Sequence, residues 1–218
     1  MTDTSPNRCR LVLIAGPEIA GSTTDRVLAA LGGGDVASLI VVQGGSDEGA
    51  FQDYCEAVVA QAQQAGAAVV VAGDSRIAGR VGADGIHLDA RADEIADAVK
   101  RHAGKLIVGA GGAKTRHDAL ELGEAQPDYV FFGRFGYDNT VEAHPRNIDL
   151  AAWWSPMVEI PCILLGGSSL ASIAACAATG AEFVALSAAV FGADADPAAA
   201  IAEANRLLDA HAPRFEDS

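Results

Sequence analysis

Short β-branched runs alternate along the chain with Ala-rich stretches of helical spacing, and Gly, Asp or Ser punctuates the junctions. The runs that predict strands are Leu11–Ala15, Ala37–Val42, Ala68–Ala72, Gly85–Leu88, Leu106–Ala110, Tyr129–Phe132, Cys162–Leu165 and Phe183–Leu186. Helices are predicted over Thr23–Leu31, Glu48–Ala65, Ser75–Val81, Ala92–Ala103, Thr115–Gly123, Leu150–Met157, Leu170–Ala178 and Pro197–His211. Pro197 suits a first helical position, where the missing N–H costs nothing. The strand runs are apolar without alternation, as expected when both faces of a parallel sheet are covered. Eight β-then-α units with no remainder predict an α/β fold, a single (β/α)8 TIM barrel, rather than an open sheet. No composition break marks a second domain, so residues 1–218 form one barrel domain with its core over about 9–211 and short flexible ends. Gly66-Ala67, Gly82-Ala83 and Gly180-Ala181 precede strands, where Gly supplies the left-handed end of a helix.

Composition narrows the partners. Half of the 218 residues are apolar, enough for a sizeable core, and the formal net charge is -14 with a pI near 4.6. Such a chain is poorly suited to nonspecific nucleic-acid or anionic-membrane binding. No apolar run reaches membrane-spanning length and MTDTSPNRCR is no signal peptide, so a cytoplasmic location is expected. Cys9, Cys55, Cys162 and Cys176 form no C-x-x-C pair and are expected as reduced, buried thiols.

Any phosphate must be held by local donors against this global field. In such barrels the chemistry lies at the C-terminal ends of the strands. There Gly166 and Gly167 let backbone N–H groups approach an anion, and Ser187 and Ala188 open a short extra helix aimed at the same place. His87, closing the fourth strand run beside Asp74 and Asp89, is the best acid–base candidate, equally readable as structural. Trp153 and Trp154, being adjacent, cannot share one helix face. One ring is expected in the core, the other at a subunit interface of a homodimer or over the site. Phe135 and Tyr137 are candidates for stacking on a flat heterocycle, against plain loop packing.

Four stretches resemble the thiamine phosphate synthase/thiazole tautomerase family: Val81–Leu88 (VGADGIHL), Pro127–Arg134 (PDYVFFGR), Pro161–Gly167 (PCILLGG) and Gly180–Val190 (GAEFVALSAAV). The resemblance covers roughly residues 36–205 and implies a barrel enzyme of thiamine biosynthesis. Such an enzyme is a transferase joining a hydroxymethylpyrimidine diphosphate to a thiazole phosphate, releasing pyrophosphate with Mg2+. It assigns the thiazole phosphate to Gly167, Ser187 and Ala188, the pyrimidine to Gln43, and the metal to Asp74 with Asp89 or Asp93. The family carries Gln-x-Arg-x-Lys after strand two, where this chain has Gln43-Gly44-Gly45-Ser46-Asp47, without either cation. Its strand-four carboxylate is displaced here to Asp89 or Asp93. The strand-six Thr-x-Thr-Lys becomes Arg134-Phe-Gly-Tyr-Asp-Asn-Thr140, leaving Arg134 and Thr140 as substrate-binding candidates. Arg76, Arg91, Lys114, Arg134 and Arg146 are available as replacement point charges. The tautomerase branch uses a histidine after strand five; here Lys114 stands close to that place, with His117 on the following helix. Two alternatives to the synthase therefore stay open. One is a metal-independent, tautomerase-like isomerase or lyase acting on a phosphorylated small molecule, with His87 and Lys114 as catalytic groups. The other is a noncatalytic thiamine-phosphate-binding regulator.

Overall fold

The computed structural model describes residues 6–215 except Asp74, so the metal-ligand expectation for Asp74 lies outside the described residues. Eight parallel strands close on themselves in chain order, β1 pairing with both β2 and β8. They are β1 (Arg10–Ala15), β2 (Ser38–Val42), β3 (Ala68–Ala72), β4 (Gly85–Leu88), β5 (Ile107–Ala110), β6 (Tyr129–Phe132), β7 (Cys162–Leu165) and β8 (Phe183–Leu186). The helices between them are α1 (Thr24–Leu31), α2 (Glu48–Gln64), α3 (Ser75–Val81), α4 (Ala92–His102), α5 (Arg116–Glu124), α6 (Pro145–Trp154) and α7 (Ile173–Ala177). A short α8 (Ala188–Phe191) and a long α9 (Pro197–His211) complete the chain.

Strand period two sorts the side chains. Val12, Ile14, Ile40, Val70, Tyr129, Phe131, Ile163, Leu165 and Ala185 fill the barrel. The alternate set, Leu11, Leu13, Leu39, Val69, Val71 and their counterparts, packs outward under the helices. Each such aliphatic side chain contributes about 1.5–3 kcal/mol on burial. Gly66, Gly82 and Gly180 take φ of +88°, +68° and +83°, the left-handed turn predicted for the Gly-Ala pairs.

Two helices differ from expectation. α6 starts at Pro145 rather than Leu150 and ends at Trp154 rather than Met157. Proline at the start and His144, whose Nδ1 accepts from the Arg146 amide, launch it earlier than apolar spacing indicates. Leu170–Ala178 divides into a 3-10 turn (Leu170–Ser172) and α7, because the Ser172 hydroxyl donates to the Ser169 carbonyl and accepts from the Gly167 amide. Of the tryptophan pair, Trp154 is wholly buried and its Nε1 donates to the Ile160 carbonyl at 2.7 Å. Trp153 lies half-buried, with the Arg116 guanidinium 5.1 Å from its ring centre.

The N-terminal end of the barrel is laced by carboxylates. Asp84, Asp128 and Glu182, each directly before an even-numbered strand, accept the amides of Val69, Val108 and Cys162 at 2.7, 2.7 and 2.8 Å. Each tie joins one strand to the start of its predecessor. The four cysteines are buried and free. Among the described residues no helix is long and apolar enough to cross a membrane.

Candidate functional site

β4 carries His87 into the barrel, where the imidazole is 1% exposed. Its Nδ1 lies 3.0 Å from the Tyr129 hydroxyl and its ring stacks on Tyr129 at an interplanar angle of 17°. Phe131 and Phe135 meet it edge-on, at centroid distances of 5.5 and 5.1 Å. Gly109 makes room for this arrangement, since a Cβ there would fall 2.0 Å from the Tyr129 ring. Nε2 has no hydrogen-bond partner among the described residues and lies 3.5 Å from Asp89 Oδ1. The carboxylate favours a proton on Nε2, so Nδ1 accepts from Tyr129. Burial first, then Asp89 and Asp128, pushes the Tyr129 phenol well above its ordinary pKa, which keeps it a donor. Gly111 preserves the approach to Nε2: a Cβ there would lie 2.7 Å from Nε2 and 2.2 Å from Asp89 Oδ1.

The glycine turn after β7 and the short helix after β8 stand side by side, but the Gly166 and Gly167 amides expected to face an anion are bonded within the chain, and the protein's own chain covers this end. Gly166, Gly167 and Ser187 are buried there. The Gly166 amide donates to the Ala185 carbonyl, and the Gly167 amide to Ser172 Oγ at 3.0 Å. The loop after β6 folds across: the Ser168 amide donates to the Thr140 carbonyl at 2.7 Å, and the Ala188 amide to Asp138 Oδ2 at 2.6 Å. Thr140 Oγ1 is turned to the Glu142 carbonyl. A Cβ on Gly167 would strike the Val141 carbonyl at 2.2 Å, so the loop backbone lies directly on this glycine. Asp138, 7% exposed, thus puts an anion on the amide expected to hold phosphate.

The remaining candidates divide between two sides of the mouth. Gln43 is tied into its own turn, Nε2 donating to the Ser46 carbonyl and Ser46 Oγ to the Gln43 carbonyl. Lys114, Arg134, Thr140 and Asp89 line an open cleft of about 1520 Å³ at the ends of β4, β5 and β6. The Arg134 guanidinium lies over the Tyr137 ring at 4.2 Å, so this ring stacks on a cation of its own loop. Asp93 is bonded to Arg91, and the Arg91 guanidinium beside it holds its carboxyl below the usual range. His117 is exposed on α5, 3.5 Å from Glu121. Among the described residues no three His, Cys, Asp or Glu side chains converge as a metal site. Asp89 is 50% exposed and faces His87.

Sequence reasoning missed Tyr129 and Asp138 as parts of this region. Strand alternation places Tyr129 inside, but only the β4–β6 juxtaposition pairs it with His87. Asp138 carries no local signal, since its partner Ala188 lies in another loop.

Comparison with known proteins gives a consistent result. A profile of the family described as thiamine monophosphate synthase matches residues 11–190. A thiamine-phosphate synthase of Hyphomonas neptunium is 34% identical over 218 residues, covering 96% of this chain and 99% of the relative. One from Rhodospirillum centenum is 31% identical, covering 92% and 98%. The solved thiamine phosphate pyrophosphorylase from Pyrococcus furiosus superposes with a TM-score of 0.76 at 21% identity, over 92% of this chain and 96% of that one, which supports the fold.

Proposed function

The chain belongs to the thiamine monophosphate synthase family, and from that premise we propose that it is a transferase of thiamine biosynthesis. It couples a hydroxymethylpyrimidine diphosphate to a thiazole phosphate. The pyrimidine methylene C–O bond breaks with its electron pair going to the departing diphosphate, and the thiazole nitrogen lone pair forms the new C–N bond. The curated relatives carry the synthase name, which favours this coupling over the tautomerase-like and noncatalytic alternatives.

The observation that carries the reading is the buried, otherwise unpartnered Nε2 of His87, aimed at the mouth beside Asp89. Its proton is offered to the oxygen that receives the bond electrons, in a hydrogen bond that strengthens as charge builds. Tyr129 holds the tautomer and the ring plane, so little reorganisation accompanies the step. The Lys114 ammonium adds a positive charge at the cleft. Gln43 is assigned to the pyrimidine side, and the turn of Gly166 and Gly167 with Ser187 and Ala188 to the thiazole phosphate. That phosphate would take the Ser168 and Ala188 amides once the loop after β6 lifts and Asp138 leaves, while the Gly166 and Gly167 amides stay bonded to Ala185 and Ser172. Mg2+ would be held by Asp74 with Asp89, which lies half-exposed beside His87, and would offset charge on the diphosphate. The same reading places the protein in the cytoplasm; light scattering tests a homodimer.

The purified chain is incubated with both substrates, with and without Mg2+, and thiamine phosphate and pyrophosphate are measured. Turnover is expected, and His87→Asn should lower kcat by roughly 10²–10³-fold, the effect of removing one transition-state donor. Absence of product from the wild-type chain in both conditions would overturn the coupling.

A further inference from the structure

We propose that Phe135 is a positioning residue that ties His87 to the loop after β6, so that the imidazole registers whether Asp138 holds the Ala188 amide. The tie itself is read from the structure. It rests on the coupling reading only for its use: a substrate phosphate that displaces Asp138 draws Phe135 off the imidazole before the diphosphate meets Nε2.

The chain leaving β6 has two sets of anchors with one stiff turn between them. The inner set is aromatic. Phe135 meets His87 edge-on at 5.1 Å and lies 5.0 Å from Phe131, which is buried in the barrel. Gly133 fixes this entry, since a Cβ there would fall 2.5 Å from Leu165 Cβ and 2.9 Å from the Phe131 ring. The outer set is polar. Asp138 accepts the Ala188 amide at 2.6 Å, and the Thr140 carbonyl accepts the Ser168 amide at 2.7 Å.

The turn between the two sets is Arg134-Phe135-Gly136-Tyr137. The Tyr137 amide donates to the Arg134 carbonyl at 3.1 Å and Gly136 takes a φ of +76°, the combination of a type II turn. Its end residues close it a second time, with the Arg134 guanidinium 4.2 Å from the Tyr137 ring centre. A turn locked through both backbone and side chains moves as one piece. Phe135 occupies its second position and Asp138 follows directly on its fourth, so a displacement at one anchor set reaches the other. Close packing around the imidazole transmits such a movement rather than absorbing it. Of the three rings around His87, Tyr129 and Phe131 stand on β6, and Phe135 alone stands on a loop. It is the movable wall of the imidazole, and one element biased from both ends is what coupling between two places requires.

The test is read at the His87 imidazole of the full chain, labelled with 15N histidine and free of substrates. The signals are assigned by their loss in His87→Asn. Asp138→Ala removes both the charge and the acceptor of the Ala188 amide, whereas Asp138→Asn removes the charge alone. A field effect moves the His87 signals equally in the two variants; the tie predicts a larger shift in Asp138→Ala. Phe135→Leu, which keeps an apolar side chain on the turn, should abolish that difference. Gly136→Ala acts through the backbone alone, because a Cβ there meets nothing within 4 Å, and should reduce the difference by straining the turn. Circular dichroism confirms that each variant folds. Equal shifts in Asp138→Ala and Asp138→Asn, or a difference that survives both Phe135→Leu and Gly136→Ala, overturns the proposal. Coupling assays on the same proteins keep the two claims apart. Turnover with shifts indifferent to Phe135→Leu defeats only this tie, whereas the expected shifts without turnover defeat only the coupling.

Discussion

His87 shows how one residue acquires a chemical direction from its neighbours. Tyr129 fixes Nδ1, Asp89 faces Nε2, and two phenylalanine edges hold the ring plane. Replacing Tyr129 by Phe keeps the stack and removes the hydroxyl. The expected result is a mixed tautomer population, read from the 15N shifts of His87, and a fall of roughly tenfold in kcat with little change in KM, the loss of about 1–1.5 kcal/mol of orientation. Asp138 presents the converse case, a charge where a ligand charge is expected. Asp138→Asn keeps an acceptor for the Ala188 amide but removes the anion. Phosphate monoester binding, measured by calorimetry, should tighten by roughly three- to tenfold; unchanged or weaker binding would show that the carboxylate does not compete. At this scale the sequence reveals His87 and the Gly166-Gly167 pair, because each stands at a recognisable strand end. It is silent on Asp138, whose partner Ala188 lies in a segment distant along the chain.

The elements follow from their own period and punctuation. All eight strands and the Gly-Ala turns are legible because burial on both faces leaves continuous apolar runs. α6 is the exception: its first turn is polar, so apolar spacing starts it too late, and the stronger signal was His144 followed by Pro145. The carboxylate ties below the barrel were not legible at all, since an acid before a strand reads as an ordinary loop residue. They predict where stability resides. Asp128→Ala leaves the Val108 amide without its acceptor, and Glu182→Ala does the same to Cys162. Each should cost about 1–3 kcal/mol in urea unfolding, while leaving substrate affinity untouched because the ties lie at the face opposite the mouth. The cysteines belong to the same layer of packing. Burial pushes all four thiols up to about 12, which favours the neutral form. Thiolate is therefore scarce through the neutral and mildly alkaline range, and rises only as pH nears 12. Alkylation of the native chain at pH values near 8 should be slow at every cysteine and become fast on unfolding, as mass spectrometry would record.

For the whole molecule, fold and family are legible because eight repeats of one unit leave few topologies, and four motif stretches are spread over most of the chain. The reaction's machinery is less legible, because the family's cations are missing from their places and those present are scattered through sequence. A net charge of -14 on a compact body repels itself. Raising salt from about 0.01 M to about 0.15 M should therefore raise the melting temperature by a few degrees; a decrease would mean that surface ion pairs outweigh the repulsion. The rings around His87 carry a last consequence. Tyr129, Phe131 and Phe135 pack against the imidazole and the Tyr129 hydroxyl takes Nδ1, so Nε2, beside Asp89, is the ring nitrogen left for exchange. A ligand seated over that nitrogen would shut the imidazole off from solvent protons for as long as it stays bound.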